Sequence, residues 1–154
     1  MLRFFLADRR PAGWRQWAEV VDPDPRAPRF VGDMPHTWVG SDFIRSFLDI
    51  LAYDDGDLLV LCAGVPVRWT RPGDRIRVAG LQTRFGELEF TVQAEPGRLL
   101  VEIDALADTP TGGVLVRLPG IGDRTRATIN GSAATPVDGG VAVSRLPAVL
   151  VIEN

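Results

Sequence analysis

The sequence predicts an α+β protein: two or three N-terminal helices followed by an antiparallel β-sandwich of about eight strands. Three observations carry that reading. The apolar period changes from helical to strand-like near residue 55. After that point, apolar and polar residues alternate in short runs. The breaks between those runs carry turn chemistry, as in Pro72-Gly73-Asp74, Phe85-Gly86, Pro96-Gly97, Asn130-Gly131 and Asp138-Gly139-Gly140. The corresponding division is residues 1–53 for the helices and 58–154 for the sandwich.

Taken in order, Leu2, Phe5 and Leu6 have helical spacing, and Arg9-Arg10-Pro11 closes that segment. Pro11 then suits a first helical turn, and Trp14, Trp17, Ala18 and Val21 form one apolar stripe of a second short helix. Pro23, Pro25 and Pro28 break it, so Asp22 to Asp33 reads as loop. Gly40-Ser41-Asp42 offers an N-cap for a third helix, in which Phe43, Ile44, Phe47, Leu48 and Leu51 make a wide apolar face. Asp54-Asp55-Gly56-Asp57 is expected to end it.

The strand half begins with the apolar run Leu58 to Ala63. Arg75 to Leu81 alternates, with Ile76 and Val78 on one face. Glu87 to Gln93 does the same, with Leu88, Phe90 and Val92 inward. Arg98 to Ile103, Gly113 to Leu118, Ala127 to Ile129, Gly140 to Val143 and Ala148 to Ile152 complete the set.

Composition narrows the function classes. A formal charge of −3 gives no electrostatic basis for binding nucleic acid or an anionic membrane. All 17 basic residues are arginine, which reads as codon bias. The longest nearly apolar run, Leu58 to Val67, is too short for a span of about 20 residues. Met1 to Leu6 lacks the features of a signal peptide, so the cytoplasm is the default compartment. The single Cys62 excludes an internal disulfide and reads as a buried, inert thiol. Asn130-Gly131-Ser132 matches a glycosylation sequon, which carries little weight without an export signal.

Chemistry-bearing residues concentrate before residue 43: Trp14, Trp17, Glu19, Asp33, His36, Trp38 and Asp42. Aromatic faces beside carboxylates suit sugars, because a ring stacks on the C–H face of a pyranose while acids bond its hydroxyls. The plainer reading makes Trp14 and Trp17 core residues and His36 a hydrogen-bonding loop residue. One histidine without HxH or HExxH spacing leaves no basis for a transition-metal site. A triad of Ser41, His36 and Asp42 lacks the Gly-x-Ser-x-Gly elbow, and Ser41 is better explained as a cap.

Three stretches together resemble the end of six-hairpin glycosidases: WRQWAEVV (Trp14 to Val21), RFVGDMPHTWVGSDFIRSFLDILAY, and RIRVAGLQTRFGELEFTV. These are (α/α)6-barrel enzymes, and the pattern is similar to that of α-L-rhamnosidase-like proteins and of bacterial relatives named for appended coagulation factor 5/8-type domains. The likeness spans about residues 11 to 120, and includes a segment like Gln82-Thr83-Arg84-Phe85-Gly86 before an alternating strand. It implies that residues 1–53 are terminal barrel helices and that the strands form the C-terminal sandwich.

The resemblance further implies a late-barrel acid at Glu19, acting as general base or sugar-hydroxyl ligand. His36 and Trp38 would line the sugar subsite, with Trp14 or Trp17 as stacking wall and Asp33 and Asp42 as further ligands. Where the rhamnosidase loop reads Asn-His-Tyr, this chain has Pro35-His36-Thr37-Trp38. Usual glycoside hydrolysis needs two carboxyl groups flanking the bond, and in this superfamily the general acid comes from earlier in the barrel. The chain alone is therefore expected to be inactive. It is expected to act with the missing barrel, encoded upstream or by another chain, on carbohydrate, with no metal or organic cofactor. The alternative is a self-contained β-sandwich binding or interaction module whose helices cover one sheet. A barrel fragment predicts a large exposed apolar patch on the helices, and the module does not.

Overall fold

A computed structural model describes residues 6, 16–20, 22, 24, 26, 32–122 and 124–153. The chain divides into two compact units, Met1–Asp49 and Ile50–Asn154.

In the first unit Leu6 is helical, but residues 16–20 are not. The helix expected across Trp17, Ala18 and Val21 is corrected here for its described part. The backbone of this segment pairs with that of residues 32–36. Glu19 N–H donates to the Asp33 carbonyl at 3.1 Å, Gly32 N–H to Val20 at 2.8 Å, and His36 N–H to Trp17 at 2.9 Å. Bonds to a segment distant in sequence replace the i→i−4 ladder. Between them, Asp22 and Asp24 fold back on the chain, their Oδ1 atoms accepting from the N–H groups of Asp24 and Arg26. The Arg26 guanidinium, together with that backbone bond, holds the Asp24 carboxyl below its ordinary range.

Helix α1 runs from Thr37 to Leu51 and is the one helix of more than a single turn among the described residues. It starts before the expected cap. Gly40 N–H already donates to the His36 carbonyl at 3.2 Å, so Ser41 and Asp42 lie inside the helix. None of its residues is buried. It ends at Leu51 instead of at Asp54–Asp57, because its last carbonyls find partners in the returning chain. Ile50 accepts from Gly64 N–H at 3.2 Å, and Leu51 accepts from Cys62 N–H at 2.8 Å. Only a glycine fits at 64, since a Cβ there would lie 2.8 Å from Ile50 Cα.

Among its described residues the second unit holds ten strands in two sheets. They are β1 (Ala52–Asp55), β2 (Leu58–Leu61), β3 (Arg75–Thr83), β4 (Gly86–Glu95), β5 (Arg98–Ile103), β6 (Val114–Val116), β7 (Arg126–Ile129), β8 (Ser132–Ala134), β9 (Val141–Val143) and β10 (Ala148–Glu153). The four-stranded sheet has the order β1-β2-β6-β9 and the six-stranded sheet β3-β4-β5-β10-β7-β8. Every pairing is antiparallel except β2 with β6. One hydrophobic core joins the inner faces: Leu59, Leu61, Val114, Val116, Val141 and Val143 from one sheet, and Leu88, Phe90, Val92, Val101, Ile103, Leu150 and Ile152 from the other. Burying each such side chain contributes about 1.5–3 kcal/mol. The architecture is α+β with a sandwich-like pair of sheets.

Turns fix the registers. Asn130 and Gly131 have φ of 50° and 80° between the paired Ile129 and Ser132, the geometry a type I′ hairpin requires. The Asn130 side chain also accepts from Val149 N–H at 2.8 Å, tying this hairpin to β10. The β3–β4 turn joins three elements. Arg84 reaches the β1–β2 turn, bonding the Gly56 carbonyl and lying 3.3 Å from Asp57 Oδ1 and 3.8 Å from Asp54 Oδ2. Its guanidinium sits 4.5 Å from the Phe85 ring centre, and Phe85 itself enters the core. The Phe85 carbonyl accepts from Asp108 N–H at 3.0 Å. Gly86, at φ 110°, lies so close to Ala107 that a Cβ would meet its N at 3.1 Å.

Candidate functional site

The first unit contains an open cavity of about 630 Å³ beside the start of α1. Its apolar walls are Trp17, Pro35, Phe43 and Ile44, and its polar rim is Gln16, His36, Thr37 and Ser41. Local folding explains the assembly. The pairing of His36 N–H with the Trp17 carbonyl lays the loop before α1 along residue 17. Thr37, Gly40, Ser41 and Ile44 then share one face at spacings of three and four along the helix. Gly40 leaves that face open, with nothing within 4 Å of where its Cβ would stand. The Trp17 and Phe43 rings pack at 4.6 Å with a 31° tilt.

Of the residues singled out in the sequence, Trp17 and His36 are brought together in this cavity. Trp38 and Asp42 form a second group next to it. The Trp38 indole N–H donates to Asp42 Oδ2 at 3.0 Å, and the His36 and Trp38 rings lie 5.9 Å apart. Glu19 and Asp33 are exposed and joined through their backbones, and neither lines the cavity. Trp14 lies outside the described residues. Sequence reasoning missed Gln16, Thr37 and Phe43 as wall residues. The helical spacing of Thr37, Ser41 and Ile44 was a usable signal; the Trp17–Phe43 contact was not, since it depends on the path of the loop.

Comparison with protein-family models, curated proteins and solved structures found no match. The chemistry must therefore be argued from the residues themselves. The described cavity wall offers one imidazole, two hydroxyls and one amide but no carboxylate. Such a surface can hold a ligand with one apolar face and hydroxyls at its edge. A hydrolytic pair of carboxyl groups is not present in that wall. Among the described residues no group of three or more His, Cys, Asp or Glu side chains could hold a metal ion, and no helix is long and apolar enough to cross a membrane.

The second unit contributes less. A smaller cavity of about 320 Å³ is lined in part by Val67, Pro72, Leu99 and the ion-paired Glu95 and Arg98, 2.6 Å apart. Cys62 is buried in the core, and burial pushes its thiol up to about 12, so it is no nucleophile at neutral pH.

Proposed function

We propose that this chain is the C-terminal part of a six-hairpin glycoside hydrolase, closing the helical barrel and contributing one wall of the sugar site. In this reading α1 is the last barrel helix and the two sheets are the C-terminal sandwich. The observation that carries it is the state of α1. An amphipathic helix in a globular domain normally buries its apolar stripe. Yet α1 has no buried residue, and Ile44 and Phe47 are 60% and 39% exposed. Leu6 and Val20 of the same unit are 48% and 57% exposed. Apolar surface of this kind is what a missing set of barrel helices would cover. The cavity beside it supports a carbohydrate ligand, with Trp17 as stacking wall and His36 at the rim.

Catalysis then depends on residues supplied by the barrel, encoded upstream or on another chain, with Glu19 as general base or hydroxyl ligand. The test is made on the assembled enzyme. Glu19→Gln is expected to lower kcat by at least about 100-fold if Glu19 acts as general base, and His36→Ala to raise KM. Unchanged turnover and affinity in both would sink the assignment. The competing reading, a self-contained binding module, predicts that no upstream barrel exists and that the chain alone binds its ligand fully.

A further inference from the structure

We propose that Asp42 is a positioning residue: its carboxylate holds the exposed Trp38 indole in one orientation, giving a pyranose a fixed stacking face next to the Trp17–His36 cavity. The proposal rests on the carbohydrate reading above and assigns Asp42 a role through Trp38, not on the sugar.

Five observations converge on it. Trp38 and Asp42 are one helical turn apart, at i and i+4 on α1, where side chains meet. The indole N–H has a single donor and no acceptor, and it gives that donor to Asp42 Oδ2 at 3.0 Å. Because α1 begins at Thr37, the Asp42 carboxylate is not engaged in capping the helix. The ring so held is 70% exposed, although burial would be the default for an indole. The His36 ring, tilted by 38° at 5.9 Å, flanks the same indole and also lines the cavity. Trp38 is thus fixed by its N–H and bordered by His36, with its faces left for a ligand. A platform already in place avoids the ordering cost of a rotamer-rich side chain on binding, which is worth about 2- to 10-fold in affinity.

Two measurements test this, one on the chain and one on the assembled enzyme. In ¹⁵N–¹H spectra the Trp38 indole signal, assigned by its loss in Trp38→Phe, is expected to report a rigid ring. Asp42→Ala should make it mobile on the picosecond–nanosecond scale, and Asp42→Asn, which keeps an acceptor, should restore most of the rigidity. An indole equally rigid in Asp42→Ala refutes the positioning role whatever the ligand. Methyl glycopyranosides, including methyl α-L-rhamnopyranoside, are then titrated against the enzyme assembled with its barrel and carrying the wild-type chain, Asp42→Ala, Trp38→Phe or the double variant. Asp42→Ala is expected to weaken binding by about 2- to 10-fold in the wild type and to have no further effect in the Trp38→Phe background. An equal loss in both backgrounds means that Asp42 touches the sugar directly, and overturns the proposal. Absence of binding to the wild type by every glycoside overturns the carbohydrate half, with the spectra still deciding what Asp42 does.

Discussion

Replacing Gly86 by alanine tests whether the β3–β4 turn is a packed junction or an ordinary loop. Two costs add at this position. A residue with a Cβ is strained at φ 110°, at about 1–3 kcal/mol. The new methyl would also lie 2.9 Å from Ala107 Cβ and 3.1 Å from its N, atoms that cannot rotate away. Moving that backbone strains the Asp108–Phe85 bond and the seat of Phe85 in the core, which makes overpacking of about 1–3 kcal/mol a fair scale. The control is Gly97→Ala. Its φ is 78° and nothing lies within 4 Å of its Cβ, so only about 1–2 kcal/mol of backbone cost applies. Urea unfolding followed by circular dichroism, with a slope of about 1–3 kcal/mol/M, should place the Gly86→Ala midpoint clearly below that of Gly97→Ala. Equal midpoints would refute the claim that this turn is held against the 104–113 loop.

Other substitutions probe single contacts. Arg84→Ala should cost about 1 kcal/mol, less at high salt, since its partners are exposed; thermal melts at two ionic strengths will show it. Asn130→Gly keeps the positive φ and loses the side-chain bond from Val149 N–H and the long one to the Pro147 carbonyl, chiefly the former at about 0.5–1.5 kcal/mol, whereas Asn130→Ala adds backbone strain and should be worse. Cys62 should resist iodoacetamide at pH 8 until the chain is unfolded. Its thiol is raised from 9.0 to about 12, so the unfolded chain loses that proton first. The contribution is full below about pH 9 and falls as pH rises toward 12. Against Cys62→Ala, the wild type should therefore lose stability over that window.

The strands were legible because each alternation had one inward face. Leu88, Phe90 and Val92 point into the core as their spacing predicts, and β5 occupies the expected Arg98–Ile103. Two strands were not legible. Ala52–Asp55 and Ser132–Ala134 are too polar or too small to show an apolar face, and they become strands through pairing with Leu58–Leu61 and Arg126–Ile129. The stripe of Trp17 and Ala18 misled for the opposite reason. Helical spacing over a few residues is weak against bonds to a distant segment, here those from Trp17, Glu19 and Val20 to Gly32, Asp33 and His36. The start of α1 was placed too late because Ser41 and Asp42 have the chemistry of caps. In the fold Asp42 binds Trp38 instead. His36 and Trp17 line the cavity, and Glu19 and Asp33 are not in its described wall.

Amide hydrogen exchange on the isolated chain tests the central proposal most directly, namely that α1 is covered by the helices of a barrel. With no buried residue, the amides of Phe43 to Asp49 should exchange orders of magnitude faster than those of β4, β5 and β10, whose inner side chains fill the core. Supplying the barrel should slow them toward the strand values. Protection of α1 equal to that of the central strands in the isolated chain would contradict the account and favour a self-contained module.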